Sequence, residues 1–309
     1  MLTSSLLRPR IWLLLVTLWV SIAGAQTAAK KVATIVGSDT CSVCHEDIYK
    51  IFQTTPHRAI DNDKRRGWAG KACEACHGPG SLHVDSADAK DIRNPGKLPA
   101  SEADKLCLPC RLNQPTQVGR IQGPHVKNQV GCAACHSMHK GGGQVARTPA
   151  DINAKCASCH TAQWARFQLP YTHKLPQGAM SCVDCHNPHG SQLTATIRTV
   201  SANEPGCFKC HGDKRGPFAY EHAPVRLEGC TVCHQPHGSA NPRMLIRQEV
   251  RFVCLECHAN RPAASVQTLS PTLGGIPPAI HDLQNPRYRN CTICHVKIHG
   301  SHVDRSLLR

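Results

Sequence analysis

Aromatic side chains are scarce: Phe, Trp and Tyr make up only 4 % of 309 residues. A chain of that length has room for one large or two ordinary domains, yet this is too little bulk for a conventional side-chain core. Acidic residues are also few, 21 against 36 Lys and Arg, for a formal charge of +15. The basic residues are spread along the chain rather than gathered in a patch, which removes the main signature of a nucleic-acid reader. Beyond the N-terminus no apolar run approaches the ~20 residues of a spanning helix. Strand-like alternation is missing too, and 23 Gly and 22 Pro break the chain into short pieces. What is abundant is cysteine, 20 residues, matched by 20 histidines. All the cysteines fall in C-x-x-C pairs, an arrangement that disfavours a disulfide scaffold, a kinase or a Rossmann enzyme.

Residues 1–25 have the form of an export signal. Arg8 and Arg10 precede an apolar run from Ile11 to Val20, and Ala23-Gly24-Ala25 before Gln26 has the small-x-small form of a cleavage site. The run is short for an uncleaved anchor, so cleavage and residence in a bacterial periplasm are expected. Residues 26–40 then form an N-terminal segment, and 41–309 a single domain. Loss of Arg8 and Arg10 leaves a charge of +13.

Nine of the ten pairs are followed at once by histidine: Cys41/Cys44 with His45, Cys73/Cys76 with His77, Cys132/Cys135 with His136, Cys156/Cys159 with His160, Cys182/Cys185 with His186, Cys207/Cys210 with His211, Cys230/Cys233 with His234, Cys254/Cys257 with His258, and Cys291/Cys294 with His295. C-x-x-C-H is the attachment motif of haem c. Two thiols on one turn reach the two vinyl groups of the porphyrin, and the adjacent imidazole ligates the iron. Zinc knuckles and vicinal dithiols also use C-x-x-C, but neither gives the trailing histidine a role. Ten haems, each with two propionates, would add about −10 to −20 and bring the holoprotein near neutral or acidic.

The pairs form an internal repeat. Each unit carries one motif, a lone histidine, a second motif, and a further histidine three to six residues on. Five such two-haem units start at Cys41, Cys107, Cys156, Cys207 and Cys254. Their closures recur as CHNPHGS at His186, CHQPHGS at His234 and CHVKIHGS at His295, with looser versions at His136 and His77. Ten histidines outside the motifs fall at matched places: His57, His83, His125, His139, His173, His189, His222, His237, His281 and His299, with His302 left over. They are expected to be distal ligands, giving bis-histidine, low-spin iron. A histidine three residues after a proximal one is too close to reach the opposite face of the same porphyrin. If pairing stays inside each unit, the closing His139, His189, His237 and His299 cap its first haem. The intervening His125, His173, His222 and His281 then cap its second.

One pair breaks the pattern. Cys107-Leu108-Pro109-Cys110 is followed by Arg111, whose guanidinium has no free lone pair and cannot ligate iron. Three readings stay open: haem held by both thiols without a proximal ligand, a site without haem, or drift or error at a former histidine. The motifs thus predict nine haem c groups, with a tenth at Cys107/Cys110 left open. Inside unit 2 the distal partner of this site would be His139.

The expected architecture is a multihaem cytochrome c: mostly coil with short α-helices, for example at 46–54 and 162–167, elongated, with packed porphyrins as the core. The ordered pairs, intervening histidines and CHxPHGS closures together resemble the periplasmic decahaem cytochromes of the MtrA/DmsE type over 40–302. That resemblance implies an elongated wire of bis-histidine haems within an outer-membrane β-barrel, passing electrons between periplasm and exterior for metal reduction or iron(II) oxidation. It implies as partners a barrel protein, a periplasmic or inner-membrane redox protein and an extracellular multihaem cytochrome, with no role for nucleic acid. Size agrees: a compact mature chain has a radius of gyration of ~19 Å, so an extended one can span a bilayer of ~40–45 Å, sheathed from lipid by a barrel. The chain is expected to transfer electrons without catalysing turnover. The competing functions are a multihaem oxidoreductase with an open haem at Arg111 and a soluble periplasmic electron shuttle.

Overall fold

The computed structural model describes residues 31–117, 119, 123–139, 148–191, 193–201, 204–258, 286 and 289–309. The export-signal stretch and His281 lie outside these residues. The described chain is mostly turn and coil, with short helices in chain order: α1 (Ser38–Cys44), α2 (Glu46–Gln53), α3 (Ala72–His77), α4 (Ser81–Ser86), α5 (Ala100–Arg111), α6 (Pro124–Lys127), α7 (Pro149–Ala157), α8 (Thr161–Arg166), α9 (Cys182–Cys185), α10 (Ala223–Leu227) and α11 (Val250–His258). Two small antiparallel ribbons pair β1 (Thr199–Ser201) with β2 (Glu204–Pro205), and β3 (Tyr220–Glu221) with β4 (Gly300–Ser301). Among the described residues no helix is long and apolar enough to cross a membrane. Helices α2 and α8 stand where the sequence places them, within a residue at each end.

Local chemistry explains the helix starts. Thr148 and Asp151 form a reciprocal capping box with Pro149 at the first helical position of α7, and Ser181 and Asp184 do the same for α9. The C-x-x-C-H motif is itself one helical turn. The His amide donates to the carbonyl of the first cysteine, as in His45 to Cys41 (3.0 Å), His160 to Cys156 (2.9 Å) and His234 to Cys230 (3.0 Å). Positions i, i+3 and i+4 share a helical face, so both thiols and the imidazole point the same way.

The interior is thin. Among the described residues only Ala72, Ala103, Phe167, Leu175, Phe208 and Leu245 are buried hydrophobics, and buried polar side chains tie the motifs together instead. Asp104, three residues before Cys107, accepts the amide of Cys132 (2.8 Å). Asn153, three residues before Cys156, accepts the amide of Cys182 (2.9 Å) and donates to the carbonyls of Leu175 and Met180. In unit 1 a relay serves: Ser38 donates to Asp61, whose same oxygen accepts the amide of Ala72 beside Cys73. The carboxylate of Glu74 accepts the amides of Val36, Gly37 and Gly80.

Successive units dock through the closing loop. Tyr171 exchanges backbone hydrogen bonds with Ser239, and β3 of unit 4 pairs with β4 of unit 5. Asn187 donates to the carbonyl of Thr116 (3.1 Å). The glycine of each HGS closure lies under this contact. A Cβ on Gly190 would sit 2.3 Å from the Gly119 carbonyl oxygen, and one on Gly238 2.2 Å from that of Arg166. On Gly300 it would sit 2.1 Å from the Phe218 ring. The recurring glycine is where the preceding unit passes over the closure.

Candidate haem-binding sites

All twenty cysteines are free of disulfides. In every unit the first cysteines of its two motifs lie within hydrogen-bond reach of each other: Cys41 with Cys73, Cys107 with Cys132, Cys156 with Cys182, Cys207 with Cys230 and Cys254 with Cys291. The hydrogen bond acts in opposite directions on its two ends: Cys156 is lowered to about 7 by its hydrogen bond to Cys182, whose own thiol is pushed up. Burial pushes Cys41 up to about 11. Between units the neighbours are the second cysteines. Cys76 feels Cys107 and Cys110, Cys185 feels Cys207 and Cys210, and Cys233 feels Cys257.

The two thiols of a motif are not equally enclosed, although the sequence assigns them the same attachment role in a haem-packed core. Every first cysteine is half-buried, whereas the second cysteines Cys44, Cys110, Cys135, Cys159, Cys210, Cys257 and Cys294 are exposed. The physical reason is the contact inside each unit: the first cysteine meets its counterpart in the partner motif, and the second lies a turn away from that contact. Cys159 takes its contact from its own neighbour, the Ser158 hydroxyl at 4.0 Å. Units 2 and 3, which Cys135 and Cys159 flank, are joined through histidines, as described next.

Eight motif histidines face a second imidazole. The pairs are His45 with His83 (ring centres 6.1 Å apart), His77 with His139 (5.7 Å), His136 with His189 (6.0 Å), His160 with His125 (6.1 Å), His186 with His237 (5.9 Å), His211 with His173 (6.3 Å), His234 with His299 (6.3 Å) and His258 with His222 (6.3 Å). A metal bonded to two opposed imidazole nitrogens at ~2.0–2.1 Å each holds the ring centres roughly 6 Å apart.

The rings are also oriented. A carbonyl only accepts, so an Nδ1 beside one must carry the proton and leave Nε2 as the lone-pair donor. Nδ1 of His77 donates to Arg93 (2.9 Å), His186 to Ala195 (2.8 Å), His234 to Arg243 (2.9 Å) and His83 to Asp88 (3.0 Å). His295 donates likewise to Ser306. The intervening histidines donate to the residue just before a closing histidine of the next unit: His125 to Pro188 (2.8 Å), His173 to Pro236 (2.9 Å) and His222 to Ile298. Burial holds His57, His139, His222, His237 and His299 below the ordinary histidine value, which keeps these rings neutral.

The pairing inside units expected from the sequence is not what the structure has. His139 faces His77 and not Arg111, and His189 faces His136 and not His160. Neighbouring units exchange histidines: the intervening one serves the first motif of the next unit, and the closing one serves the second motif of the preceding unit. Docking through the HGS loop is the physical reason, because it sets each closing histidine against the unit before it. His83 of unit 1 differs, facing His45 of its own unit. The partner expected for His295 is His281, outside the described residues.

At the third motif Arg111 replaces the imidazole, and its Nη2 lies 3.2 Å from Nε2 of His57. The donor sets of the other nine motifs, two thiols and an imidazole on one face, fit haem c. Here only the thiols and the opposite histidine do. Among the described residues no three His, Cys, Asp or Glu side chains converge as a tetrahedral zinc centre requires.

The chain is 36 % identical over 278 residues to Multiheme cytochrome MtrA of Shewanella baltica, an alignment covering 88 % of this chain and 81 % of that protein. It belongs to the MtrA family of multihaem cytochromes. It is thus an electron-transfer protein that binds haem c. A family described as the doubled CXXCH motif also matches, at residues 173–216 and 222–263. Each match begins at an intervening histidine and joins the second motif of one unit to the first of the next. That frame contains the facing pairs His173 with His211 and His222 with His258. The residues that the motif reading missed are the supporting ones: the carbonyls of Pro188 and Pro236, the closure glycines, and Asp104 and Asn153. Their signals were the repeated HGS and a polar residue three places before the first cysteine.

Proposed function

We propose that this cytochrome conducts electrons along an ordered row of ten haem c groups, nine of them bis-histidine, without substrate turnover. Haem c supplies a one-electron iron couple, and the residues described above attach, orient and space it. The observation that carries this reading is the exchange of histidines between neighbouring units, which links every junction. The cysteines support it, first beside first inside each unit and, at three of the four junctions, a second cysteine beside the next motif.

The row extends through the periplasm into the outer membrane, inside a β-barrel partner. It is fed or drained by a periplasmic or inner-membrane redox protein and, outside, by an extracellular multihaem cytochrome. Metal reduction and iron(II) oxidation both use such a path. The support is the family membership, the absence of a spanning apolar helix among the described residues and the export-signal pattern. A polar, irregular chain cannot meet lipid unsheathed. The test is co-purification of the holoprotein with an outer-membrane barrel, followed by reconstitution into vesicles enclosing a reduced dye. Oxidation of the enclosed dye by external ferric chelate only when cytochrome and barrel are both present is expected. Equal rates without the cytochrome, or no barrel partner, overturn the conduit.

A further inference from the structure

The third motif keeps everything a haem needs except one ligand. Cys107 and Cys110 sit at the end of α5, and Cys107 adjoins Cys132 as the first cysteines do in the other four units. Opposite lies His57, half-buried and not among the eight facing histidine pairs. Arginine carries no acceptor, so the 3.2 Å contact is a donation from Arg111 Nη2 into the His57 Nε2 lone pair. This is the same lone pair that a distal histidine presents elsewhere. The histidine expected to serve this motif, His139, is taken by His77. The spare His302 of unit 5 packs against Phe218 of unit 4, ring centres 5.2 Å apart.

We propose that the haem attached at Cys107 and Cys110 has His57 as its only axial protein ligand, and that Arg111 makes its open face a binding site for small monoanions of the azide or cyanide class. Iron takes the lone pair that Arg111 now holds. The guanidinium, which cannot be deprotonated or ligate, is left facing the coordination position that a second imidazole fills elsewhere. Its fork of N–H donors then offers a charge-assisted hydrogen bond to an anion bound there. The proposal rests on haem c attachment but not on conduction across a membrane.

The test uses the ferric holoprotein, with haem content from intact mass and spin state from electron paramagnetic resonance. Ten haems are expected, one high-spin, and azide should convert that one to low spin. Arg111→Gln should weaken azide binding by roughly ten- to a hundredfold, the worth of a charge-assisted hydrogen bond. Arg111→His should yield ten low-spin haems that ignore azide, and His57→Ala should alter this haem alone. Nine haems by mass, ten low-spin haems in the parent, or undiminished azide binding in Arg111→Gln each overturn the proposal. Vesicle conduction is scored separately on the parent holoprotein, so a failed conduit with intact azide binding counts against the conduit alone.

Discussion

His189 faces His136 across 6.0 Å, although the chain separates it from His186 by only two residues. The ring that closes the third unit therefore belongs to a site of the second. The same relation recurs in His237 with His186 and His299 with His234. In a stacked repeat each unit is stabilised by its neighbour. Here the interface also supplies the facing imidazole, so under the proposed bis-histidine ligation a unit alone is short of ligands.

Removing His299 should accordingly disturb the haem of Cys230 and Cys233, one unit earlier, and leave that of Cys254 and Cys257 intact. His234→Ala/His299→Ala should lose one low-spin haem, whereas His258→Ala/His299→Ala should lose two. Counting low-spin ferric haems by electron paramagnetic resonance decides this. Two lost in the first variant would sink the interunit exchange.

The attachment sites were legible because covalent haem imposes a fixed local spacing: two thiols and an imidazole on one turn leave a mark such as Cys182-Val183-Asp184-Cys185-His186. Eight of the ten histidines expected to face a motif do so, and these were legible from their matched places in the repeat. Which histidine faces which motif was not, because that depends on docking between segments some 60 residues apart, as in His125 with Pro188. Nor was the unequal enclosure of the thiols, half-buried Cys156 against exposed Cys159, since the motif spells both alike. The clue to the docking lay in Gly190, Gly238 and Gly300. A glycine directly after three of the five closing histidines marks a close approach, but the sequence does not say by what. The matches at 173–216 and 222–263 cut the chain across the units that cysteine spacing suggests.

Gly238→Ala should therefore be costly. Its φ is +133° and an added Cβ would lie 2.2 Å from the Arg166 carbonyl oxygen, so a loss of about 2 kcal/mol or more is expected. Gly178, at φ +73° with nothing near an added Cβ, is the control and should lose only about 1 kcal/mol on change to alanine. Thermal unfolding followed in the haem absorption band gives the comparison. Equal shifts in melting temperature would mean that the closure does not dock as described.

Asn153 joins three pieces of unit 3 through one buried amide, accepting from Cys182 and donating to Leu175 and Met180. Asn153→Ala strands a backbone amide and two carbonyls, a loss of about 2–4 kcal/mol. In unit 2, Asp104→Asn keeps an acceptor for the Cys132 amide and should cost less than Asp104→Ala. Denaturant melts of these variants against the parent test the ranking.

Acid should unfold the molecule through its facing histidines. His57, His139, His222, His237 and His299 are all held below the ordinary value of 6.5, chiefly by burial. The second causes are Arg111 for His57, His77 for His139, His258 for His222, His186 for His237 and Lys214 for His299. The folded chain then binds fewer protons at these rings than the unfolded chain, so stability is fully present above 6.5 and is lost as pH falls through the folded values. Under the proposed ligation, iron at Nε2 would add to the effect in the same direction, because a proton there excludes the metal. The melting temperature of the holoprotein should be level above about pH 7 and fall steadily towards about pH 5, with the low-spin signal lost in step. His237→Phe, which keeps the ring burial but cannot be protonated, should flatten that fall by removing one titrating group while leaving one haem high-spin. A melting temperature that holds level down to about pH 5 would show that these rings do not control stability.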